Sequence, residues 1–303
     1  MKRDILSVTD MSSDFEDIID LSIRMKKQRY TVFPEMHNRM LGMIFEKPST
    51  RTRISLETAM EQMGGHAIYL NPNDMQIGRG ETIEDTGRVL SGFLDIISYR
   101  AFSHESVASL AKNAKVPVIN ALDDREHPVQ MLADFMTIKE IFGRTGGLKV
   151  TYVGDGNNVA NSLALSSAIS GSDFTIGCPA GHEPDSKIWQ KAQEIAKSTK
   201  ARLEIEHDPV KAVENANVVY TDVWVSMGEE KEREAKEKLF SRYQVNESIM
   251  EHADRNHIFL HCLPAHRGLE VSAGVIDGIH SVVFQEAENR LHTSKALIFT
   301  LLS

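Results

Sequence analysis

Apolar positions in the first part of the chain follow two alternating patterns. Residues 41–45 form a short apolar run that is typical of a buried strand, and residues 66–70 resume this pattern. Between them, apolar side chains recur at helical spacing: Leu56, Ala59, Met60 and Met63. The glycine pair at 64–65 predicts where this helix ends. The order strand, helix, strand predicts a βαβ unit and therefore a parallel sheet.

The alternation continues along the rest of the chain. Further strands are predicted in two series, at residues 96–99 and 116–120, and then at 148–153, 174–178, 203–205, 218–221 and 258–261. Helices are predicted from His127-Pro128 to Phe142 and over 286–302. A capping box of Ser13 and Glu16 predicts a helix near the start of the chain.

A break at residues 143–147, where Gly143, Gly146 and Gly147 fall close together, separates the two series. It predicts one domain over residues 1–145 and a second over 146–285, with the helix at 286–303 packing back on the first. The expected fold class is α/β, with two doubly wound parallel-sheet domains joined by interdomain helices.

Composition narrows the function classes. The chain has 303 residues and a net charge of −9, which disfavours general binding to nucleic acid or to an anionic membrane. The longest apolar run, 296–302, is far shorter than the roughly 18 residues of a membrane span. Two cysteines, without a CxxC pair, predict neither a disulfide framework nor a zinc site. We therefore expect a cytoplasmic protein in a reducing compartment.

A basic motif at residues 46–53 stands between a predicted strand and a predicted helix. Helix N-termini bind anions through free N–H groups, while Ser49 and Thr50 add hydroxyls and Arg51 a bidentate fork for phosphate. Three basic residues in a short stretch of an acidic protein favour phosphate binding over a merely capped helix with solvated arginines.

Two more side chains are candidates for the same chemistry. His127 and Gln130 lie one turn apart at a helix start, where they can donate to an oxyanion or a carbonyl, although a capping histidine is the plainer alternative. Arg100 follows a strand directly, at the edge where α/β sheets bind ligands, but it could equally be an ordinary surface arginine.

The second series also carries polar groups at strand ends. The Gly154–Asn158 turn resembles a dinucleotide turn but has Val159 where a glycine is needed, which disfavours a nicotinamide-dependent oxidoreductase. Asn158, Asp222 and Cys262 follow three strands and predict one shared site, although a lone cysteine is more often inert. Metal ligation by His261 and Cys262 is not expected, because adjacent residues rarely present both groups.

Taken together, the motifs resemble those of the aspartate/ornithine carbamoyltransferase family. Residues 49–53, STRTR, resemble its carbamoyl phosphate motif, and 127–130, HPVQ, resemble its HPxQ motif. Residues 222–228, DVWVSMG, and 261–264, HCLP, resemble the motifs of its ornithine branch. The matches follow the family order and span residues 49–264.

The resemblance implies roles for individual residues. Carbamoyl phosphate would be held by Ser49, Thr50, Arg51, Thr52, Gln76, Arg100, His127 and Gln130. Ornithine would be held by Asn158, Asp222, Ser226, Met227, Cys262 and Leu263, with Arg290 at both substrates. Arg100 and His127 would polarise the carbamoyl carbonyl, and Cys262, near Asp222, would accept the proton of the amine.

The implied reaction is carbamoyl transfer from carbamoyl phosphate to the δ-amine of L-ornithine, giving L-citrulline and phosphate in arginine metabolism, without cofactor or metal. The resemblance also implies a homotrimer or a multiple of one. A thiol near a carboxylate is harder to ionise, so the departing phosphate is an alternative proton acceptor to Cys262. Putrescine and acetylornithine remain alternative amines, whereas the acidic residues Glu229 and Glu230 disfavour aspartate. A non-catalytic binding protein would not need both HPVQ and HCLP.

Overall fold

The structure is a computed structural model that describes residues 2–225 and 233–303. The chain divides into two compact units. The first unit runs up to Met136 and includes Glu288–Ser303, and the second is Thr137–Ala287.

The first unit is built on a four-stranded parallel sheet of order β2-β1-β3-β4. Its strands are β1 Met40–Phe45, β2 His66–Leu70, β3 Ile96–Arg100 and β4 Val118–Leu122. The helices within it are α1 Phe15–Lys27, α2 Thr50–Met63, α3 Ile83–Leu90 and α4 His104–Asn113. Strands β1 and β3 are almost wholly buried, as is typical of inner strands of a parallel sheet.

The second unit is built on a five-stranded parallel sheet of order β7-β6-β5-β8-β9. Its strands are β5 Lys149–Val153, β6 Asp173–Gly177, β7 Leu203–Glu206, β8 Val218–Tyr220 and β9 Ile258–Leu260. The helices within it are α6 Asn158–Ser170, α7 Ser186–Thr199, α8 Pro209–Val213, α9 Arg233–Phe240, α10 Glu247–Met250 and α11 Ala273–Ile276.

Two long helices contain the points at which the chain passes from one unit to the other. They are α5, Pro128–Phe142, and α12, Val283–Leu302. The predicted fold class, two parallel-sheet α/β domains, is confirmed. No helix in the described ranges is long and apolar enough to cross a membrane. The substrate assignments predicted for residues 1–145 and 146–285 stay predictions.

The start of the chain differs from its predicted form. The capping box of Ser13 and Glu16 is wrong, because α1 begins at Phe15 with Asp14 at the N-cap and without a side-chain cap bond. Both carboxylate oxygens of Asp14 instead accept hydrogen bonds from Arg3, at 2.6 and 2.7 Å. The predicted glycine stop of α2 is confirmed, because Gly64 adopts a left-handed conformation with φ 97° at its C-cap.

Candidate active site

The basic motif forms the N-terminus of α2, at the carboxyl end of β1. Ser49 is the N-cap, and its side chain accepts a hydrogen bond from the Thr52 N–H at 3.3 Å. Arg51 is half-buried. The neighbouring Arg53 is exposed and lies over the ring of Tyr69, 3.9 Å from its centroid. Capping of α2 by Ser49 is therefore compatible with the predicted binding of an anion at the same helix end.

Arg290 brings α12 to this helix end. Its guanidinium, 2% exposed, donates to the Thr52 hydroxyl at 2.9 Å and to the Gln130 side-chain oxygen. The Gln130 amide donates in turn to Asp134 at 2.7 Å. Thr52 and Gln130, which the family resemblance assigns to carbamoyl phosphate, therefore lie in one hydrogen-bonded cluster with Arg290. Arg51, which it assigns to the same substrate, is next to Thr52 in the chain.

His127 lies at the start of α5 and is buried. Burial holds the pKa of its imidazole well below the usual value, and the positive charges of Arg290, Arg100 and Arg51 lower it further. The ring is therefore neutral at neutral pH and can donate a hydrogen bond without carrying a charge. The same electrostatics show that His127 lies in a strongly positive environment suited to a phosphate.

Glu46 supports Arg100 from both sides, a role that the sequence reasoning missed. Its carboxylate accepts from the Tyr99 hydroxyl and from the Phe102 N–H, each at 2.6 Å. Its own N–H donates to the Arg100 carbonyl at 2.9 Å. The only sequence signal was its place at the start of the basic motif.

Gln76 is predicted to bind carbamoyl phosphate, but the structure does not join it to the cluster around Arg290. It is exposed in the segment after β2. Within the described part of the chain, no hydrogen bond joins its side chain to the cluster around Arg290. Its predicted role at carbamoyl phosphate stays a prediction.

In the second unit, the turn after β5 holds two asparagines. Asn157 is the N-cap of α6 and accepts from the N–H groups of Val159 and Ala160, while Asn158 begins the helix. The Asn157 amide also donates to Asp222 at 3.2 Å. The sequence analysis assigned a polar role only to Asn158, because spacing alone does not show which of the two side chains faces β8.

Asp222 and Cys262 follow the neighbouring strands β8 and β9. The Cys262 thiol lies 3.2 Å from an Asp222 carboxylate oxygen, as a donor to it, so Asp222 joins Asn157 to Cys262. Leu263 has φ 57°, a left-handed conformation that is rare for a branched side chain and that clusters at functional sites. Ser226 and Met227, also predicted here, lie outside the described residues.

His261 is buried beneath this site. Its Nδ1 accepts from the Leu263 N–H at 2.9 Å, and its Nε2 lies 3.4 Å from a Glu270 oxygen. The potential ligand atoms of Asp222, His261 and Cys262 lie within 4.8 Å of one another, so adjacent residues do converge here, contrary to the sequence argument. Both ring nitrogens of His261 already have partners, however, and neither is open to a metal.

These features define a class of protein: a two-unit α/β protein with a cluster of arginines at a helix N-terminus in one unit and an Asn–Asp–Cys cluster at the strand ends of the other. Family models described as "Aspartate/ornithine carbamoyltransferase, carbamoyl-P binding domain" and "Aspartate/ornithine carbamoyltransferase, Asp/Orn binding domain" match residues 3–140 and 146–301. The chain belongs to the aspartate/ornithine carbamoyltransferase family and is a carbamoyltransferase. The resemblance drawn from its motifs is confirmed.

Relatives and solved structures are similar over the whole chain. An ornithine carbamoyltransferase of Picrophilus torridus is 64% identical over 303 residues, covering 100% of both chains. A catabolic ornithine carbamoyltransferase of Thermoplasma volcanium is 57% identical, covering 100% of this chain and 99% of its own. The structure of ornithine carbamoyltransferase from Pyrococcus furiosus has a TM-score of 0.94 at 48% identity, covering 98% and 96%.

Proposed function

We propose that this protein transfers the carbamoyl group of carbamoyl phosphate to the δ-amine of L-ornithine, giving L-citrulline and phosphate. The observation that carries the proposal is the full-length match, at 64% identity, to a relative named ornithine carbamoyltransferase. The site geometry supports the binding of both substrates.

Carbamoyl phosphate binds in the first unit in this proposal. Its phosphate lies at the N-terminus of α2, held by Ser49, Thr50, Arg51 and Thr52, where helix N–H groups and a guanidinium favour an anion. Arg100 and neutral His127 donate to the carbamoyl oxygen, and Gln76, Gln130 and Arg290 complete the site. Donors aimed at the developing oxyanion supply the main stabilisation of the tetrahedral intermediate.

Ornithine binds in the second unit through its α-carboxylate and α-ammonium. The proposed contacts come from Asn158, Asp222, Ser226, Met227, Cys262 and Leu263. Asp222, 8% exposed, supplies the negative charge that an α-ammonium requires. The same charge opposes a second carboxylate, which disfavours aspartate as the acceptor.

The chemical step forms a bond from the δ-nitrogen to the carbamoyl carbon and breaks the bond from that carbon to the phosphate oxygen. The amine has a reference pKa of about 10.4, so using it neutral at pH 7 costs about 4.6 kcal/mol. Its proton passes to Cys262, which must then be a thiolate, or to the departing phosphate. The thiol is already a hydrogen-bond donor to Asp222, which suits a positioning role for Cys262.

We further propose a homotrimer, or a multiple of one, in the cytoplasm. The edge strand β2 and the adjacent α2 expose large apolar side chains, with Ile68 42% and Ile54 56% exposed, and such an edge favours cover by another chain. Both cysteines are free thiols, as in a reducing compartment. The reaction serves arginine biosynthesis in one direction, and relatives named catabolic share the same chemistry.

The test is colorimetric detection of the ureido product with carbamoyl phosphate and each acceptor separately: ornithine, putrescine, acetylornithine and aspartate. We expect fast turnover with ornithine alone, and at least a thousandfold loss in Arg51→Ala. Arg88→Ala, an exposed arginine paired with Asp85 in the same unit, is the matched control and should keep full activity. Turnover with another amine in place of ornithine would refute the assigned acceptor.

A further inference from the structure

A buried ion pair lies close to the proposed ornithine site without belonging to it. The Lys236 ammonium of α9 lies 2.7 Å from an Asp155 carboxylate oxygen, with side chains only 8% and 15% exposed. The second Asp155 oxygen lies 3.0 Å from His182 Nδ1. Taking a lysine out of water is costly, and a buried pair adds little net stability, so its value lies in holding a geometry.

Asp155 fixes the turn that presents the two asparagines. The next residue, Gly156, donates its N–H to the His182 carbonyl at 2.9 Å. A Cβ at Gly156 would lie 2.3 Å from the Glu183 carbonyl carbon, so this turn is pressed against the 182–183 backbone. Asn157 follows directly and reaches Asp222. A displacement of Asp155 would therefore move Asn158 and also Asn157, which is the hydrogen-bond partner of Asp222.

The same face of α9 also contacts the segment that leaves β8. Phe240, one turn after Lys236, is buried and stacks with Trp224 at a centroid distance of 6.0 Å. The Phe240 and His182 rings are also T-shaped to each other, with their centroids 5.0 Å apart. Trp224 lies two residues after Asp222. Through these contacts α9 holds two of the three backbone segments that carry the proposed ornithine ligands.

We propose that Lys236, through its ion pair with Asp155, is a positioning residue for the acceptor amino acid. This inference rests on the proposed function. Lys236 acts through the β5–α6 turn and has no contact of its own with the substrate. Its removal leaves a largely buried carboxylate without its cation, and the turn relaxes to solvate it. Recognition of the α-carboxylate and α-ammonium then weakens, while the carbamoyl phosphate site in the other unit is unchanged.

The experiment is steady-state kinetics of the full-length protein with Lys236→Met, Lys236→Arg and Arg202→Met. We expect Lys236→Met to raise the KM for ornithine about tenfold or more and the KM for carbamoyl phosphate less than twofold. Lys236→Arg keeps the cation and should stay within threefold of wild type. Arg202→Met breaks an exposed pair with Asp173 in the same unit and is the matched control.

An acceptor analogue separates positioning from chemistry. L-Norvaline has the ornithine carbon skeleton without the δ-amine, so its inhibition constant reports recognition of the α-groups alone. That constant should rise by the same factor as the KM for ornithine in Lys236→Met. If Lys236→Met does not fold, Asp155→Asn breaks the same pair with an isosteric side chain and is held to the same criteria.

The outcomes are distinct. An unchanged KM for ornithine in a folded variant, or an equal rise in the KM values of both substrates, overturns the positioning role of Lys236. Absence of ornithine turnover in the wild-type protein overturns the proposed function instead, before any variant is measured.

Discussion

The guanidinium of Arg290 donates a hydrogen bond of 2.9 Å to the hydroxyl of Thr52, although the two residues are 238 positions apart in the chain. The same guanidinium also donates to Gln130. One buried cation therefore joins three segments of the first unit: the part of α12 after Glu288, the N-terminus of α2 and the first turn of α5. The proposed anion site therefore includes a residue from the last helix, whose C-terminal part belongs to the first unit.

Arg290→Lys tests this junction. A lysine keeps the charge but cannot donate in two directions from a planar fork, and a hydrogen bond to a charged group contributes about 1.5–3 kcal/mol. We expect kcat/KM for carbamoyl phosphate to fall about ten- to hundredfold. Thr52→Ser keeps the accepting hydroxyl and should lose less than threefold. The measurement is steady-state kinetics with carbamoyl phosphate varied. An equal loss of activity in both variants would contradict the prediction.

The neutral imidazole of His127 has a consequence for stability. Burial and three arginines hold its folded-state pKa well below 6.5, its value in an unfolded chain. Below pH 6.5 the unfolded state therefore binds a proton that the folded state does not. This group destabilises the fold as the pH falls from 6.5 towards the folded-state pKa, and it has no effect on the pH dependence above about pH 7.5.

His127→Gln removes that titration and keeps an N–H donor. We expect urea unfolding of the wild type to lose up to about 1.4 kcal/mol more per pH unit than the variant between pH 6 and 5. The two proteins should show parallel profiles from pH 7.5 to 8.5. Equal slopes below pH 6 would mean that His127 is protonated in the folded protein.

Periodicity predicted the sheets because buried strands of a parallel sheet are mostly apolar over their whole length, as in β1. The glycine stop of α2 was predictable for a local reason, since only a residue without Cβ adopts φ near 97° at no steric cost. The predicted Ser13 cap is wrong because Asp14 is the N-cap, and the carboxylate of Asp14 accepts from Arg3 instead of capping the helix. Local signals predict elements well until a tertiary contact competes.

The site shows the same division. Local patterns were enough to single out Arg51 and His127 at helix starts and Asp222 and Cys262 after strands. Glu46 was missed because its role depends on a bond from Tyr99 of β3, which no spacing in its own segment encodes. The junction of Arg290 with Thr52 was likewise beyond any local pattern.

Asp222→Asn tests the acceptor side. The substitution removes the charge proposed to hold the α-ammonium and weakens the partner of the Cys262 thiol. We expect the KM for ornithine to rise at least a hundredfold, with the KM for carbamoyl phosphate within threefold. Product formation with each substrate varied in turn, at a saturating concentration of the other, gives both KM values. A fall in kcat with an unchanged KM for ornithine would rule out a binding role for Asp222.

Cys262→Ala separates the two proton acceptors that remain open. If Cys262 mainly positions the amine, the KM for ornithine rises and kcat falls less than tenfold, because the departing phosphate still takes the proton. If the thiolate is the required base, kcat falls at least a thousandfold at saturating ornithine. We expect the first result, because the Cys262 thiol donates to Asp222 at 3.2 Å and is therefore protonated.

Glu126, next to His127, holds a structural carboxyl that titrates near neutral pH. Burial raises its pKa to about 7, although it accepts a hydrogen bond from the Val8 N–H at 2.9 Å. Between pH 4.5 and 7 the folded state keeps a proton that the unfolded state releases, so stability falls as the pH rises through this window and the full cost persists above it. Raising the pKa of this carboxyl from 4.5 to about 7 corresponds to about 3 kcal/mol.

Glu126→Gln keeps an oxygen that can accept from Val8 and removes the ionisation. We expect the variant to be about 2–3 kcal/mol more stable than the wild type at pH 8 and nearly equal to it at pH 5, by urea unfolding. Glu105→Gln is the control: this exposed carboxyl has a pKa below 4.5, lowered by its own backbone N–H and by Arg125, so it changes no slope between pH 5 and 8. A stability difference between variant and wild type that is the same at pH 5 and pH 8 would contradict the prediction. It would mean that the folded protein already solvates the Glu126 carboxylate.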